Sequence, residues 1–272
     1  MTFDHDLHIH THLSACCPDK EQRPAQILAQ ALRLGRGLIG FSDHIWTNPA
    51  AHPSDFYRSQ DARQIVRLRE ELSGVSTPVR VLIGCEADTV APGIFSITRE
   101  FADTLDYVLL SCSHFHMRKL VQQPQAVSPR ILGEHMLTFF RSAATSGLAT
   151  AIAHPLLPYG FASLFEPAVD ALSDAELQDA FALAAGRRVA LEITAAYIPP
   201  PATGAGSVAW SPDVPRRIIS LARAASCLFT WGSDAHTLEG LARLEGLAPL
   251  VAPLGLCPSD FAAVTRARTG TA

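Results

Sequence analysis

The sequence predicts an α/β protein of parallel strands and covering helices, built as one domain over residues 1–272. Three observations predict it. Short apolar runs alternate with amphipathic runs of helical length, the α/β pattern. The chain has 272 residues, 48% of them hydrophobic, a length that one α/β barrel commonly fills. Finally, six of the seven strand-like runs end on histidine or a carboxylate, and sites in parallel barrels are built at the C-terminal rim.

The first strand is Asp6–His10. Side chains alternate along a strand, so His8 and His10 share a face and form a preset metal chelate. Pro24 opens a helix that closes at Gly35, with Ile27, Leu28, Ala31 and Leu32 on one face. The second strand, Leu38–Ser42, leads to Asp43-His44 and a loop with Trp46, Pro49, His52 and Pro53. An arginine-rich helix is expected over Tyr57–Leu72, then a third strand, Arg80–Cys85, ending on Glu86. A helix is expected over Ile94–Thr104, followed by a fourth strand, Tyr107–Ser113, ending on His114.

Residues Met117–Val127 read as loop, Pro129–Ser146 as helix, and Ala149–Ala153 as the fifth strand, stopped by His154-Pro155. Tyr159–Asp170 reads as irregular. Ser173 caps a helix to Ala185, with Glu176 at capping-box spacing. The sixth strand is Val189–Ile193. Tyr197–Pro212 is a long loop suited to a lid or site rim. A helix over Val214–Ala225 leads to the seventh strand, Leu228–Gly232, which ends on Ser233-Asp234-Ala235-His236. From Leu238 onward one or two helices are expected, with a break over Pro249–Pro258.

Residues far apart in sequence thus meet at one mouth. Imidazoles and carboxylates converging without a cation would repel or lose hydration. The N/O donor set suits Zn, Mn or Fe better than Mg or Ca, and it exceeds one tetrahedral site, so two or three divalent ions are expected.

Taken in order, His8-Ile9-His10-Thr11 with Ser14, Asp43-His44, Gly84-Cys85-Glu86, Ser113-His114, Ala153-His154-Pro155 and Gly232-Ser233-Asp234-Ala235-His236 resemble the PHP (polymerase and histidinol phosphatase) superfamily. The resemblance implies a distorted TIM-like (β/α)7 barrel with a metal site at the C-terminal ends of the strands. It implies that His8, His10, Glu86 and Asp234 hold a first ion. Glu86, His114 and His154 would hold a second with Glu86 bridging, and His44 and His236 a third. The family's remaining third-ion ligand is a histidine or aspartate just after His-x-His. Here Cys16 stands in that place, and Asp19 is the alternative within reach. Asp43 is expected to orient a ligand or the nucleophile. His12 and His116 are expected to be loop or supporting residues.

The implied reaction is hydrolysis of a small phosphate ester, histidinol phosphate or a nucleotide among them, by metal-activated water. Arg118 and Lys119, just past His114, are candidates for substrate contact, as are Arg58 and Arg130. Tyr197–Trp210, Trp46 and Phe115 are candidate aromatic walls. Two rivals stand beside this reading. An amidohydrolase would bridge its metals with a strand lysine, but the only lysines are Lys20 and Lys119, neither in a strand-like run. A metal-binding regulatory protein without turnover is the other.

The net charge of −4 and pI near 6.2 argue against gripping long nucleic acid. A short oligonucleotide remains a substrate option. The six cysteines match no zinc ribbon or redox motif, and Cys85, Cys112 and Cys227 read as buried small hydrophobes. Thr2, Asp4, His5 and Asp6 after Met1 do not make a signal peptide, and no run is long enough to span a membrane. A cytoplasmic protein with reduced thiols is therefore expected.

Overall fold

The structure is a computed structural model, and it describes residues 2–198 and 210–265. Its centre is a nearly closed barrel of seven parallel strands alternating with helices. The strands in chain order are β1 (His5–Ile9), β2 (Leu38–Phe41), β3 (Arg80–Ala91), β4 (Ile94–Phe95), β5 (Tyr107–Ser111), β6 (Ala151–Ala153), β7 (Ala190–Thr194) and β8 (Phe229–Gly232). The sheet runs β1-β2-β3-β5-β6-β7-β8, all parallel, and β4 pairs antiparallel with the end of β3. A single bridge, Ile9 to Ala235, joins β1 to the end of β8, with the His10 amide donating to the Ala235 carbonyl at 3.0 Å. This seam sets His8 and His10 beside Asp234 and His236.

The helices are α1 (Pro24–Arg33), α2 (Arg63–Leu72), α3 (Arg99–Ala102), α4 (Pro129–Thr145), α5 (Phe165–Asp170), α6 (Asp174–Gly186), α7 (Asp213–Ala224) and α8 (Ala248–Val251). Local chemistry explains their starts. Pro24 and Pro129 occupy first helical positions, where a missing N–H costs nothing. Ser173 and Glu176 form the reciprocal capping box of α6. Gly35 ends the α1 segment with φ 73°, a conformation open to glycine.

Inside the barrel, Leu38, Leu82, Tyr107, Leu109, Ala151 and Ala190 make an apolar floor, together with Leu7. Ile9 instead packs outward on Ile27, Leu28 and Ala31 of α1. Leu7 and Ile9 have the same strand parity, so a regular strand would put both on one face. The register shift between Asp6 and Ile9 resolves this. It lets Leu7 close the floor while His8 and His10 turn into the mouth above it.

Four expectations need correction. Ile94–Thr104 is not one helix. β3 runs six residues past Cys85, turns at Gly93 (φ 82°) and pairs with β4, leaving only the short α3. The Tyr57–Leu72 helix begins late, at Arg63, because the Gln60 carbonyl accepts the Trp46 amide at 2.7 Å instead of continuing a helix. Tyr159–Asp170 is not wholly irregular, since it contains α5. The tail is mostly 3-10 turns over Glu239–Leu247 that run into α8 through Pro249, and the break falls at Gly255, φ 57°.

All six cysteines are free. No helix among the described residues is long and apolar enough to cross a membrane.

Candidate metal centre

The tightest group lies where β1, β3 and the β8 end converge. His8 Nε2 is 3.2 Å from His10 Nε2, 3.3 Å from Glu86 Oε2 and 3.4 Å from Asp234 Oδ1. His10 Nε2 is 3.4 Å from both carboxylate oxygens. A tetrahedral ion with ligand bonds of about 2.0–2.1 Å separates its ligand atoms by about 3.4 Å. The spacings of the His8 and His10 nitrogens from each other, from Glu86 and from Asp234 therefore match those such an ion requires, and His8, His10 and Glu86 form one group of metal-ligand spacing.

Glu86 extends the cluster. Its Oε2 is 3.2 Å from His44 Nε2, and its Oε1 is 2.9 Å from His154 Nε2 and 3.5 Å from His114 Nε2. One buried carboxylate thus faces five imidazoles, the arrangement of a bridging ligand. A β-bridge between His44 and Glu86 fixes their adjacency. Beyond it, Cys16 Sγ lies 3.2 Å from His236 Nε2 and 3.7 Å from His10 Nδ1, and these three form a further group of metal-ligand spacing.

The outer nitrogens are pinned. His8 Nδ1 donates to Glu192 Oε1 at 2.7 Å, His114 Nδ1 to Asp88 Oδ1 at 2.6 Å, and His44 Nδ1 to Asp88 Oδ2 at 3.1 Å. His236 Nδ1 donates to the Asp234 carbonyl at 2.9 Å, and Ser113 Oγ lies 2.5 Å from His154 Nδ1. Each contact fixes a ring and turns its Nε2 toward the centre, as metal-ligating histidines require.

Two of these residues sit at unusual backbone angles, His154 with φ 29° and Asp234 with φ 53°. Such angles cost an L-residue about 1–3 kcal/mol. The His154 amide is held by Glu192 Oε2 at 2.5 Å, so Glu192 supports both the ring of His8 and the backbone of His154.

The charge balance calls for a cation. Burial disfavours charge on His8, His10 and His44, yet the surrounding carboxylates, and for His10 the Cys16 thiolate, lift all three well above the ordinary histidine range. Burial likewise works against ionised Glu86, Asp88 and Asp234, yet the imidazoles hold Glu86 and Asp234 well down and Asp88 at about 2. Burial also opposes a Cys16 thiolate, but His10, His236 and His44 bring its pKa down to about 2. The carboxylates and thiolate stay ionised, so compensating positive charge must come from protons or divalent ions. The donor set fits divalent metal.

Of the sequence-derived candidates, His8, His10, Cys16, His44, Glu86, His114, His154, Asp234 and His236 meet at this mouth. His44 groups with Glu86 and His114 more closely than with His236. Asp19 stands apart, because its carboxylate accepts the Glu21 amide at 2.9 Å in a turn. Asp43 does not touch a ligand side chain. It accepts from the Thr11 amide and hydroxyl, both at 2.6 Å, and so holds the backbone after His10. His12 pairs with Glu71 and Arg23, away from the centre. His116 lines the mouth.

Arg58 pairs with Asp55, and Arg130 with Glu134 and Glu176, so neither faces the site. Arg118 and Lys119 line an adjoining cleft instead of the metal-ligand mouth. The expected aromatic walls are absorbed elsewhere: Trp46, Phe115, Tyr197 and Trp210 are all buried in core clusters. Positions 199–209 of the expected lid lie outside the described residues. Tyr57 and Tyr159 are the aromatic side chains at the mouth, and Tyr159 donates to Asp234 Oδ2 at 3.3 Å.

Sequence reasoning missed Asp88, Glu192 and Tyr159. Two of these left a trace. Glu86 and Asp88 are two apart and so share a strand face. Glu192 is a lone carboxylate in an apolar strand, costly unless partnered.

The comparisons agree with this architecture. The histidinol phosphate phosphatase HisK of Lactococcus lactis subsp. lactis Il1403, solved with zinc, L-histidinol and phosphate, superposes with TM-score 0.59 at 15% identity, covering 94% of this chain and 95% of that one. A provisionally assigned histidinol phosphatase HisK from Listeria monocytogenes gives TM-score 0.59 at 15% identity, covering 90% of this chain and 99% of its own. At such identity these likenesses speak to the fold. No curated protein matches the sequence. The PHP domain profile matches residues 6–196, more than half of the sequence, and the chain belongs to the PHP domain family.

Proposed function

We propose that this protein is a metal-dependent phosphoesterase that hydrolyses a small phosphate ester, with two or three Zn, Mn or Fe ions at the barrel mouth. The observation that carries the reading is that oxygens of Glu86 and Asp234 lie 3.3–3.4 Å from the Nε2 atoms of His8 and His10, which are 3.2 Å apart, with Glu86 reaching on to His44, His114 and His154. The PHP domain match supports it, as does the zinc and phosphate in the HisK structure of the same fold.

His8, His10, Glu86 and Asp234 would hold one ion, and Glu86, His114 and His154 a second. Cys16 and His236 would hold a third, with His44 between the groups. Bound there, divalent ions would lower the pKa of water toward neutrality and offset phosphate charge. The protein supplies the rest. Glu192 and Asp88 keep three Nε2 atoms aimed inward. Tyr159 holds a proton on its hydroxyl beside Asp234 Oδ2, facing the mouth. The walls leave a volume of about 260 Å³ for the reacting group.

An amidohydrolase-type centre fits poorly, because neither Lys20 nor Lys119 lies on a strand. A non-catalytic metal-binding protein would share the ligands but not the turnover. Elemental analysis of protein purified without chelator, with p-nitrophenyl phosphate turnover measured on the same sample, separates these readings. Two or three ions with turnover abolished in His8→Ala and Asp234→Ala supports the proposal. Full activity in both variants sinks it.

A further inference from the structure

The mouth opens into a second space. Cys16, Tyr57 and His116 border both the metal-ligand pocket and an adjoining cleft of about 630 Å³. Phe56, Arg118 and Lys119 form the outer part of that cleft. Its outer part carries a guanidinium and an ammonium with no carboxylate among the lining residues, and the Cys16 thiol lies on the border shared with the metal-ligand pocket.

Among the described residues, no carboxylate lies within ion-pair distance of Arg118 or Lys119. Arg118 is held on the wall by the Phe161 ring, with its guanidinium carbon 5.9 Å from the centroid, a contact that leaves its donors free. Phe56 is 58% exposed and offers an uncovered aromatic face.

A phosphoryl group seated on the metal ligands must direct its ester substituent out of the smaller pocket. The larger cleft is the space it enters. Arg118 and Lys119 therefore face the leaving group and not the reacting phosphorus. We propose that the outer cleft selects a leaving group with an apolar or aromatic body and its own anionic substituent, a carboxylate or a second phosphoryl group, and rejects a cationic one. This rests on the phosphoesterase reading of the adjoining cluster. Hydrolysis breaks the bond from phosphorus to the ester oxygen and adds water, releasing phosphate and the anionic alcohol or phenol.

The test uses metal-loaded full-length protein and four esters: phenyl, 4-carboxyphenyl, 4-phosphonophenyl and 4-(aminomethyl)phenyl phosphate. The quantity read is the ratio of kcat/KM for each anionic ester to that for the aminomethyl ester. It is compared between wild type and an Arg118→Glu/Lys119→Glu variant, so that intrinsic leaving-group reactivity cancels. The expected wild-type preference is on the order of tenfold for the anionic esters, falling as salt is raised, and inverted in the charge-reversed variant. Arg118→Lys should retain most of it. Carboxylate preferred over phosphonate, or the reverse, identifies which anion the cleft takes. An unchanged ratio in the variant, with phenyl phosphate still hydrolysed, overturns this proposal and leaves the phosphoesterase reading standing. Failure of wild type to hydrolyse any of the four counts against both.

Discussion

Replacing Asp88 with asparagine keeps volume and shape and changes one oxygen into an NH2 group. In the native protein both Asp88 oxygens accept, from His114 Nδ1 at 2.6 Å and His44 Nδ1 at 3.1 Å. Asparagine has one acceptor and two donors at these positions. The shorter contact is the stronger, so His114 keeps the oxygen. The amide NH2 then faces His44 Nδ1, donor against donor. His44 escapes by moving its proton to Nε2, the nitrogen now 3.2 Å from Glu86 Oε2, and a protonated Nε2 cannot bind metal. Losing such a supporting contact costs about 10–100-fold in metal affinity, or about 1.4–2.7 kcal/mol. The loss should be confined to one ion, because His8 leans on Glu192 and not on Asp88. Metal titration of the apoprotein against a competing chelator, with elemental analysis, reads this out. Every ion retained at wild-type affinity, or all ions lost together, would refute the reasoning.

Three further outcomes are expected. Gly232→Ala places a Cβ onto the Glu192 carboxylate, so Glu192 must leave His8; overpacking of this kind costs about 1–3 kcal/mol, and a thermal melt of the apoprotein unchanged from wild type would contradict it. Cobalt-loaded protein should show thiolate-to-metal charge-transfer absorption that disappears in Cys16→Ser and persists in Asp19→Ala; survival of the band in Cys16→Ser would remove the thiol from the centre. The third concerns acid stability. The Trp231 amide donates to His5 Nε2 at 3.0 Å and His5 Nδ1 donates to Asp4 at 2.7 Å, so the buried ring is neutral, and burial lowers its pKa from 6.5. Below about pH 6.5 the unfolded chain takes up a proton that the folded one refuses. Stability should therefore fall with acidification by up to about 1.4 kcal/mol per pH unit until the lowered folded pKa is reached. Urea melts of apoprotein across pH 5–7 should show this slope reduced in His5→Gln, and an equal slope in both proteins would dismiss it.

Much of the fold was legible because a parallel barrel writes itself locally. Each strand is a short apolar run, each helix start carries its own cap or proline, and Ser173 with Glu176 specifies the start of α6 without help from the rest of the chain. The hairpin after Glu86 was not legible. Ala87, Asp88, Thr89, Val90 and Ala91 show no clean apolar-polar alternation to mark a continuing strand. Gly93 alone does not distinguish a turn from a helix start when Ile94 and Phe101 are spaced for either. The 3-10 turns after Leu238 were obscured in the same way, because Pro249 reads as a breaker in sequence yet sits harmlessly in a first helical turn.

The sequence by itself determined the types and order of the candidate ligands, since His-x-His in a strand and polar residues at strand ends need only the two-residue period of a β-strand to share a face. What tertiary structure alone decided is which groups stand behind the ligands. Asp88 and Glu192 serve histidines 26 to 184 positions away. That Cys16 lies beside His236 while the Asp19 carboxylate accepts the Glu21 amide depends on where one loop points its side chains. Hydrogen bonds are short-ranged and directional, so such partners become visible only once barrel closure has fixed the distance between strands that the sequence holds far apart.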